Sequence, residues 1–251
     1  MVLDSLLNPV FGPLLKLGPF WAIFILSLII SLLIVLVYKY ATNQEEMKRL
    51  KDQQKDFQKK MKELKENPAE MMKIQKEAMQ SNLQYMKHSF KATLITMLPI
   101  LLIFGWMNGH LMYEPIYPGE KFTMTAGFAD GVTGEAEIIV DEGVEILSEV
   151  KQQIQSQVTW RMKSSGGEHY LKVKTSEGEE EIKVLITKEF KYENPISFFE
   201  DSDIKSLQVN YEKLKPLGTF SIFGWEPGWL GLYIILSIVF SMGLRKVLKV
   251  Y

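Results

Sequence analysis

Three apolar blocks without a single Asp, Glu, Lys, Arg or His constrain this chain more than any other feature: Phe20–Tyr38, Ala92–Met107 and Gly228–Leu244. Blocks of this length are candidates for helices crossing a hydrocarbon core ~30 Å thick. One alone reads as a buried soluble helix; three do not. The first is no cleaved signal peptide either, because its apolar run exceeds the usual ~7 to 15 residues and no small-x-small cleavage site follows. Overall composition conceals the segregation: 47% hydrophobic and 24% charged residues with a net charge of -1 would suit a soluble protein.

Charge then gives the spans a direction. Lys39–Lys91 carries thirteen Lys or Arg against eight Asp or Glu, whereas Asn108–Pro227 carries twelve against twenty-one. Arg245, Lys246 and Lys249 follow the third block. By the positive-inside rule, the first loop and the C-terminus face the cytoplasm, and the N-terminus and acidic segment face outward. The expectation is a multi-pass plasma-membrane protein with these segments: 1–19 an extracellular interfacial segment, 20–38 the first span, 39–91 a cytoplasmic hairpin, 92–107 the second span, 108–227 an extracellular β-rich domain, 228–244 the third span and 245–251 a basic cytoplasmic tail. Trp21, Trp106, Trp225 and Trp229 fall at expected outer ends, where amphipathic rings suit the interface.

Within the first loop, Met47, Leu50, Gln54, Phe57, Met61 and Leu64 alternate steps of three and four, the seam pattern of a coiled coil. Asn67-Pro68 interrupts it, since proline cannot continue a helix interior. A second stripe resumes at Met72, Lys76, Met79, Leu83, Met86 and Phe90. Two arms of similar length predict an antiparallel hairpin, each arm rising ~36 Å. Methionine is flexible and polarizable, so a methionine surface accepts varied apolar partners. Met61, Met71, Met72, Met79 and Met86 are the candidate contacts for such a partner, with Met71 read as lying off the seam. Lys48, Arg49, Lys51, Lys55, Lys59, Lys60, Lys62 and Lys65 form a solvated basic face that would also suit anionic lipid or ribosomal RNA.

From Lys121 onward the pattern changes to short β-prone runs: Lys121–Ala126, Glu135–Val140, Gln155–Met162, Tyr170–Thr175 and Glu180–Thr187. Turn signals such as Asp130-Gly131 and Ser176-Glu177-Gly178 separate them. A small antiparallel sandwich is expected, with Ser164-Ser165-Gly166-Gly167 as a hairpin loop.

No cysteine is present, which removes disulfides, thiol catalysis and thiolate metal sites together. His88, His110 and His169 are isolated, and His110 with Glu114 falls short of a metal site. The reading is a non-enzyme without metal or cofactor and without a small-molecule substrate. Each span does carry a hydroxyl pair about one helical turn apart: Ser27 with Ser31, Thr93 with Thr96, and Ser237 with Ser241. Such pairs share a helix face, and are either devices for packing helices or the lining of a partly hydrated groove. The second and third blocks hold 16 and 17 residues, about 24 to 26 Å as straight helices, which favours local bilayer thinning. Pro99 is expected to kink the second.

This arrangement resembles the YidC-like (YidC/Oxa/Alb) membrane insertase superfamily. The similarity lies in the order of span, hairpin, proline-containing span and final span with a basic tail. Asn43-Gln44-Glu45-Glu46-Met47-Lys48-Arg49-Leu50-Lys51, Gln84-Tyr85-Met86-Lys87-His88-Ser89-Phe90 and Thr96-Met97-Leu98-Pro99-Ile100 are most similar to its archaeal branch. The resemblance implies an insertase or chaperone. Hydrophobic nascent segments, presented by a translating ribosome, would be received at the hairpin and released into the lipid bilayer through a groove. Bacterial members commonly hold a cation in that groove; the nearest candidate here is Lys39, at the cytoplasmic edge of the first span. The acidic β-rich segment is not accounted for by the family core. The rival reading is a structural membrane receptor or tether that uses the coiled coil for assembly.

Overall fold

The computed structural model describes residues 2–64, 67–221 and 223–250. Met1, Ile222, Tyr251 and the expected hairpin tip at Lys65 and Glu66 lie outside the described residues. In chain order the helices are α1 (Val2–Leu15), α2 (Pro19–Ala41), α3 (Gln44–Glu63) and α4 (Pro68–Leu111). The strands follow: β1 (Lys121–Phe128), β2 (Glu135–Val140), β3 (Val144–Ile146), β4 (Lys151–Gln153), β5 (Gln157–Ser164), β6 (Gly167–Lys174), β7 (Glu179–Ile186), β8 (Ile196–Phe198) and β9 (Ile204–Val209). The last helix is α5 (Trp229–Leu248). The chain divides into two compact units, one of helices and one carrying the strands.

In the helical unit, α2, α4 and α5 are long and apolar enough to cross a membrane. The apolar blocks understate them. Arg245 and Lys246 continue the last turn of α5, whose 20 residues rise ~30 Å, so the helix is longer than its apolar block. Nor does the second arm of the expected hairpin end where the second span begins. Both belong to α4, 44 residues in one helix that rises ~66 Å. Pro99 lies inside α4, with helix on either side of it.

Local chemistry sets the helix starts. The Asn43 side chain accepts from the N–H groups of Glu45 (3.1 Å) and Glu46 (3.2 Å), capping α3, and both glutamates favour the positive end of the helix dipole. At the start of α4, Asn67 Oδ1 accepts from the Glu70 N–H at 3.4 Å while Asn67 Nδ2 donates to Glu70 Oε2 at 3.1 Å, a reciprocal cap. Pro68 occupies the first helical position, where its missing N–H costs nothing. Asn67-Pro68 is therefore a start signal for α4, and α3 has already closed at Leu64, whose N–H donates to Lys60 O at 3.0 Å. Aromatic pairs join the spans: Phe24 of α2 meets Phe240 of α5 at 5.0 Å between centroids, and Phe104 of α4 meets Tyr233 of α5 at 4.7 Å.

The strand unit holds two antiparallel sheets, ordered β3-β5-β1-β9-β8 and β4-β2-β6-β7. Alternation decides which residues face inward. In β5, Val158, Trp160, Met162 and Ser164 are buried and every intervening residue is exposed. Inward residues of both sheets, among them Met124, Trp160 and Leu207 from one and Ile138, Leu171 and Val184 from the other, share one core.

One connection differs from the sequence expectation. Ser164-Ser165-Gly166-Gly167 joins β5 in one sheet to β6 in the other, so it is a crossing between sheets and not a hairpin loop. Gly143, at φ +92°, is needed beside it: an added Cβ would lie 2.6 Å from Ser165 Oγ.

Both chain segments that lead out of this unit toward the spans are stitched together. Glu114 N–H donates to Glu212 O at 2.9 Å, Leu214 N–H to Met112 O at 3.1 Å, and Tyr113 bridges to Lys213. Tyr113, Tyr192 and Tyr211 pack here with ring centroids 5.6 to 6.0 Å apart. Burial pushes the Tyr192 and Tyr211 hydroxyls up to about 12, so both stay neutral over the physiological range.

Candidate functional site

On the first arm, the inner face follows the sequence pattern. Met47 and Leu50 are buried, and Gln54, Phe57, Met61 and Leu64 are half-buried. The second arm is rotated from the expected seam by one residue. Met71, Ile74, Ala78 and Tyr85 are half-buried and Ser81 is buried, whereas Met72, Lys76, Met79, Leu83, Met86 and Phe90 are exposed. Gln54 Nε2 donates to Asn82 Oδ1 at 3.3 Å across the two arms, beside buried Ser81. The physical reason is size: Ala78 and Ser81 let a neighbouring helix approach, while the larger Met and Leu side chains stand outside it. Hydrophobic periodicity finds the most apolar stripe, which here is not the buried one. Met71, read as off the seam, belongs to the inner face.

The outer face is thus a surface in its own right. Exposure along it runs from 52% at Leu83 to 69% at Met72, and the row continues through Phe90 to the exposed Leu94, Met97 and Leu101 of the same helix. Contiguous exposed apolar surface of this kind marks an interaction or lipid-facing site. Of the five candidate methionines, Met72, Met79 and Met86 lie on this outer row, and Met61 and Met71 on the inner faces of their arms.

Two of the three hydroxyl pairs contribute buried members. Ser27, Ser31 and Thr96 are buried; Ser27 Oγ donates to Ile23 O at 2.7 Å and Thr96 Oγ1 to Ala92 O at 3.1 Å. Those two hydroxyls satisfy themselves on their own helices, as packing residues do. Ser237 Oγ similarly donates to Ile234 O at 3.0 Å, and Ser241 is half-buried. Thr93 is different. Its Oγ1 lies 3.1 Å from the Tyr38 hydroxyl, and the Arg245 guanidinium sits over the Tyr38 ring at 5.0 Å. Tyr38 therefore ties the end of α2 to the middle of α4 and the last turn of α5, one residue from Lys39. Arg245 is a second cation at this point, and its signal in the sequence is a basic residue in the last turn of α5 together with an aromatic residue at the end of α2.

Trp106 is an inward-facing member of the expected outer-end tryptophans. It is buried, with its indole Nε1 donating to Asn8 Oδ1 at 2.6 Å, so it packs α4 against the N-terminal helix. Trp229 is buried, and Trp21 and Trp225 are exposed. In the strand unit, His169 Nε2 lies 3.3 Å from the Ser165 carbonyl oxygen, a contact that shapes the crossing between sheets and does not address the Ser165 hydroxyl. Among the described residues no group of three or more His, Cys, Asp or Glu is placed to hold a metal ion.

Comparison with known proteins matches residues 5–128 to the family described as Integral membrane protein EMC3/TMCO1-like. That family is part of the broader YidC/Oxa1/Alb3/EMC insertase superfamily and is linked to membrane protein insertion. The matched stretch covers α2, α3, α4 and the first strand, and most of the β-rich segment lies beyond it. No curated protein matches the chain, and no solved structure does.

Proposed function

We propose, proceeding from the family match over residues 5–128, that the chain is a membrane protein insertase or insertion chaperone of the archaeal YidC-like type. The observation that carries this reading is the exposed row Met72, Met79, Leu83, Met86 and Phe90, continuous on one helix with Leu94, Met97 and Leu101. A hydrophobic nascent segment lies along the upper row in water, and the flexible thioethers adapt to whichever side chains it carries. Full burial of one large apolar side chain is worth about 1.5–3 kcal/mol, so a few such contacts hold a client without trapping it. The segment then slides along the same helix into lipid without losing apolar contact. No bond is made or broken, and no nucleophile or cofactor is required.

On this reading the hairpin is cytoplasmic, as the positive-inside rule directs, and the basic face of α3 meets the ribosome or anionic headgroups. Arg245, over the Tyr38 ring, and Lys39, the next residue along α2, supply positive charge at the entrance for an acidic translocated tail.

Photocrosslinkers placed at Met72, Met79 and Met86, with Ala78 as the inward-facing control, test the proposal during translation of a membrane protein. Crosslinks to ribosome-bound nascent chains are expected at the three methionine positions and not at Ala78. Their absence in an active translation system rejects client capture, and undiminished insertion after removal of residues 44–90 supports a structural tether instead.

A further inference from the structure

The segment between the strand unit and α5 carries a feature that insertion does not use. Leu217-Gly218-Thr219-Phe220-Ser221-Ile222-Phe223-Gly224-Trp225 holds no charged side chain, in a segment between the second and third spans that is otherwise acidic. Its ends are drawn together by an ion pair, Lys215 Nζ to Glu226 Oε2 at 2.7 Å. Within that closure, Gly218 N–H donates to Lys215 O at 2.8 Å and Phe220 N–H to Leu217 O at 3.2 Å, so the base of the loop is folded.

Its aromatic side chains Phe220 and Trp225 are exposed, and Phe223 is fully so at 106%. Phe223 also has φ +52°, followed by Gly224 at +82°. A bulky residue in the left-handed region is uncommon and costs free energy. Here that conformation leaves its ring wholly outside the protein.

Chain length limits where this loop can be. Trp225 precedes Trp229, the first residue of α5, by four residues, a reach of at most about 14 Å. The uncharged aromatic loop is therefore continuous with the start of a helix apolar enough to cross a membrane. Aromatic rings with polar backbone around them favour the headgroup boundary, where a water-exposed Phe finds apolar surroundings.

We propose that Phe220, Phe223 and Trp225, in the uncharged run between Lys215 and Glu226, form a membrane-inserting element that enters the headgroup boundary where α5 begins. The occupant of this surface is lipid. The inference rests on α5 crossing the membrane and is independent of whether the chain inserts clients.

The absence of cysteine makes the test direct. Full-length Phe223→Cys and Phe220→Cys variants, each carrying one nitroxide, are reconstituted alone into vesicles of phosphatidylcholine and phosphatidylglycerol. Phe198→Cys, at an exposed aromatic of β8, is the aqueous reference. Collision with oxygen should exceed collision with a water-soluble nickel chelate at 220 and 223, and the ratio should invert at 198. A further variant, Phe220→Ser with Trp225→Ser in the Phe223→Cys chain, should shift the 223 label toward the aqueous ratio while the circular dichroism of the strands is retained. Nickel accessibility at 223 equal to that at 198 overturns the proposal and leaves a protein partner as the loop's ligand. Because no client or ribosome is present, failure here is distinguishable from failure of insertion.

Discussion

In β5, Val158, Trp160 and Met162 are buried while Gln157, Thr159, Arg161 and Lys163 face solvent; in α4, Met72, Met79, Leu83, Met86 and Phe90 are exposed while Ala92 and Ser81 lie inside. Both segments are strongly patterned, yet the pattern means opposite things. A strand in a sheet has two faces, and one of them must meet the other sheet, so the apolar face is the buried face. A long helix touching few neighbours buries only a narrow strip, and small residues make the closest strip. Large apolar side chains are then left for lipid or for a guest. The two sheets complete their burial against each other, whereas the helical unit presents part of its apolar surface outward.

That contrast predicts where truncation hurts. Trp160 is fully buried and its indole donates to Val150 O at 3.1 Å, so Trp160→Ala should cost about 3–5 kcal/mol of strand-unit stability. Phe90→Ser on the exposed row should stay within about 0.5 kcal/mol. Denaturant unfolding of the full chain in detergent, followed by strand circular dichroism for the first and helix circular dichroism for the second, measures both. Comparable losses would break the comparison, because the exposed row would then be holding the fold together.

Ala78 and Met79 sharpen it at single-residue resolution, since one is half-buried and its neighbour exposed. Ala78→Leu inserts volume between the arms and should cost about 1–3 kcal/mol, while Met79→Leu should cost under about 1.5 kcal/mol. With no native cysteine to interfere, the rate of disulfide formation between Gln54→Cys and Asn82→Cys reports the separation of the arms. The rate should fall with Ala78→Leu and hold with Met79→Leu. The reverse result would restore the seam that hydrophobicity alone suggests.

Much of this was legible in the chain because burial and periodicity coincide there. The runs at 121, 135, 155, 170 and 180 became β1, β2, β5, β6 and β7 with small shifts at their ends. The short strands β3, β4 and β8 hold three residues each, too few to show alternation, and Ile204–Val209 resembles a loop until β1 pairs with it. At the candidate site, the apolar stripe of α4 was visible as a list of residues but not its direction. Which face is buried depends on Ala78 and Ser81, whose importance is their small size and not their hydrophobicity. The node at Tyr38 was hidden for another reason: Thr93 and Arg245 are 55 and 207 residues away in sequence, and neither is unusual alone.

Caps give a smaller effect on the same helical unit. Asn67→Ala removes the side-chain acceptor for Glu70 N–H at the start of α4 and should cost roughly 1 kcal/mol. Amide hydrogen exchange over residues 69–73 should quicken while exchange beyond Ala92 is unchanged. Uniform acceleration along α4 would mean that its exposed arm and its span unfold as one body, and the outer row would not be an independently mobile surface.

Tyr192 tests the strand unit's self-sufficiency through pH. Its hydroxyl accepts from Met112 N–H at 3.1 Å, and burial raises it to about 12 from an ordinary value near 10. Below pH 10 the group is neutral in folded and unfolded chains alike, so its stabilising contribution is fully present. Between pH 10 and about 12 the unfolded chain releases the proton first, and stability falls as pH rises. Tyr192→Phe should lower stability at neutral pH by about 0.5–1.5 kcal/mol, because the Met112 N–H loses its acceptor, and should also flatten the alkaline decline. Unfolding midpoints from pH 7 to 11.5, with tyrosinate absorbance recorded in parallel, separate the two effects. An unchanged alkaline slope in the variant would mean that Tyr192 ionises as readily in the folded protein as outside it. The stitched segments from Tyr113 to Leu214 would then be open to water, and the strand unit would not be closed at the end from which its chain departs.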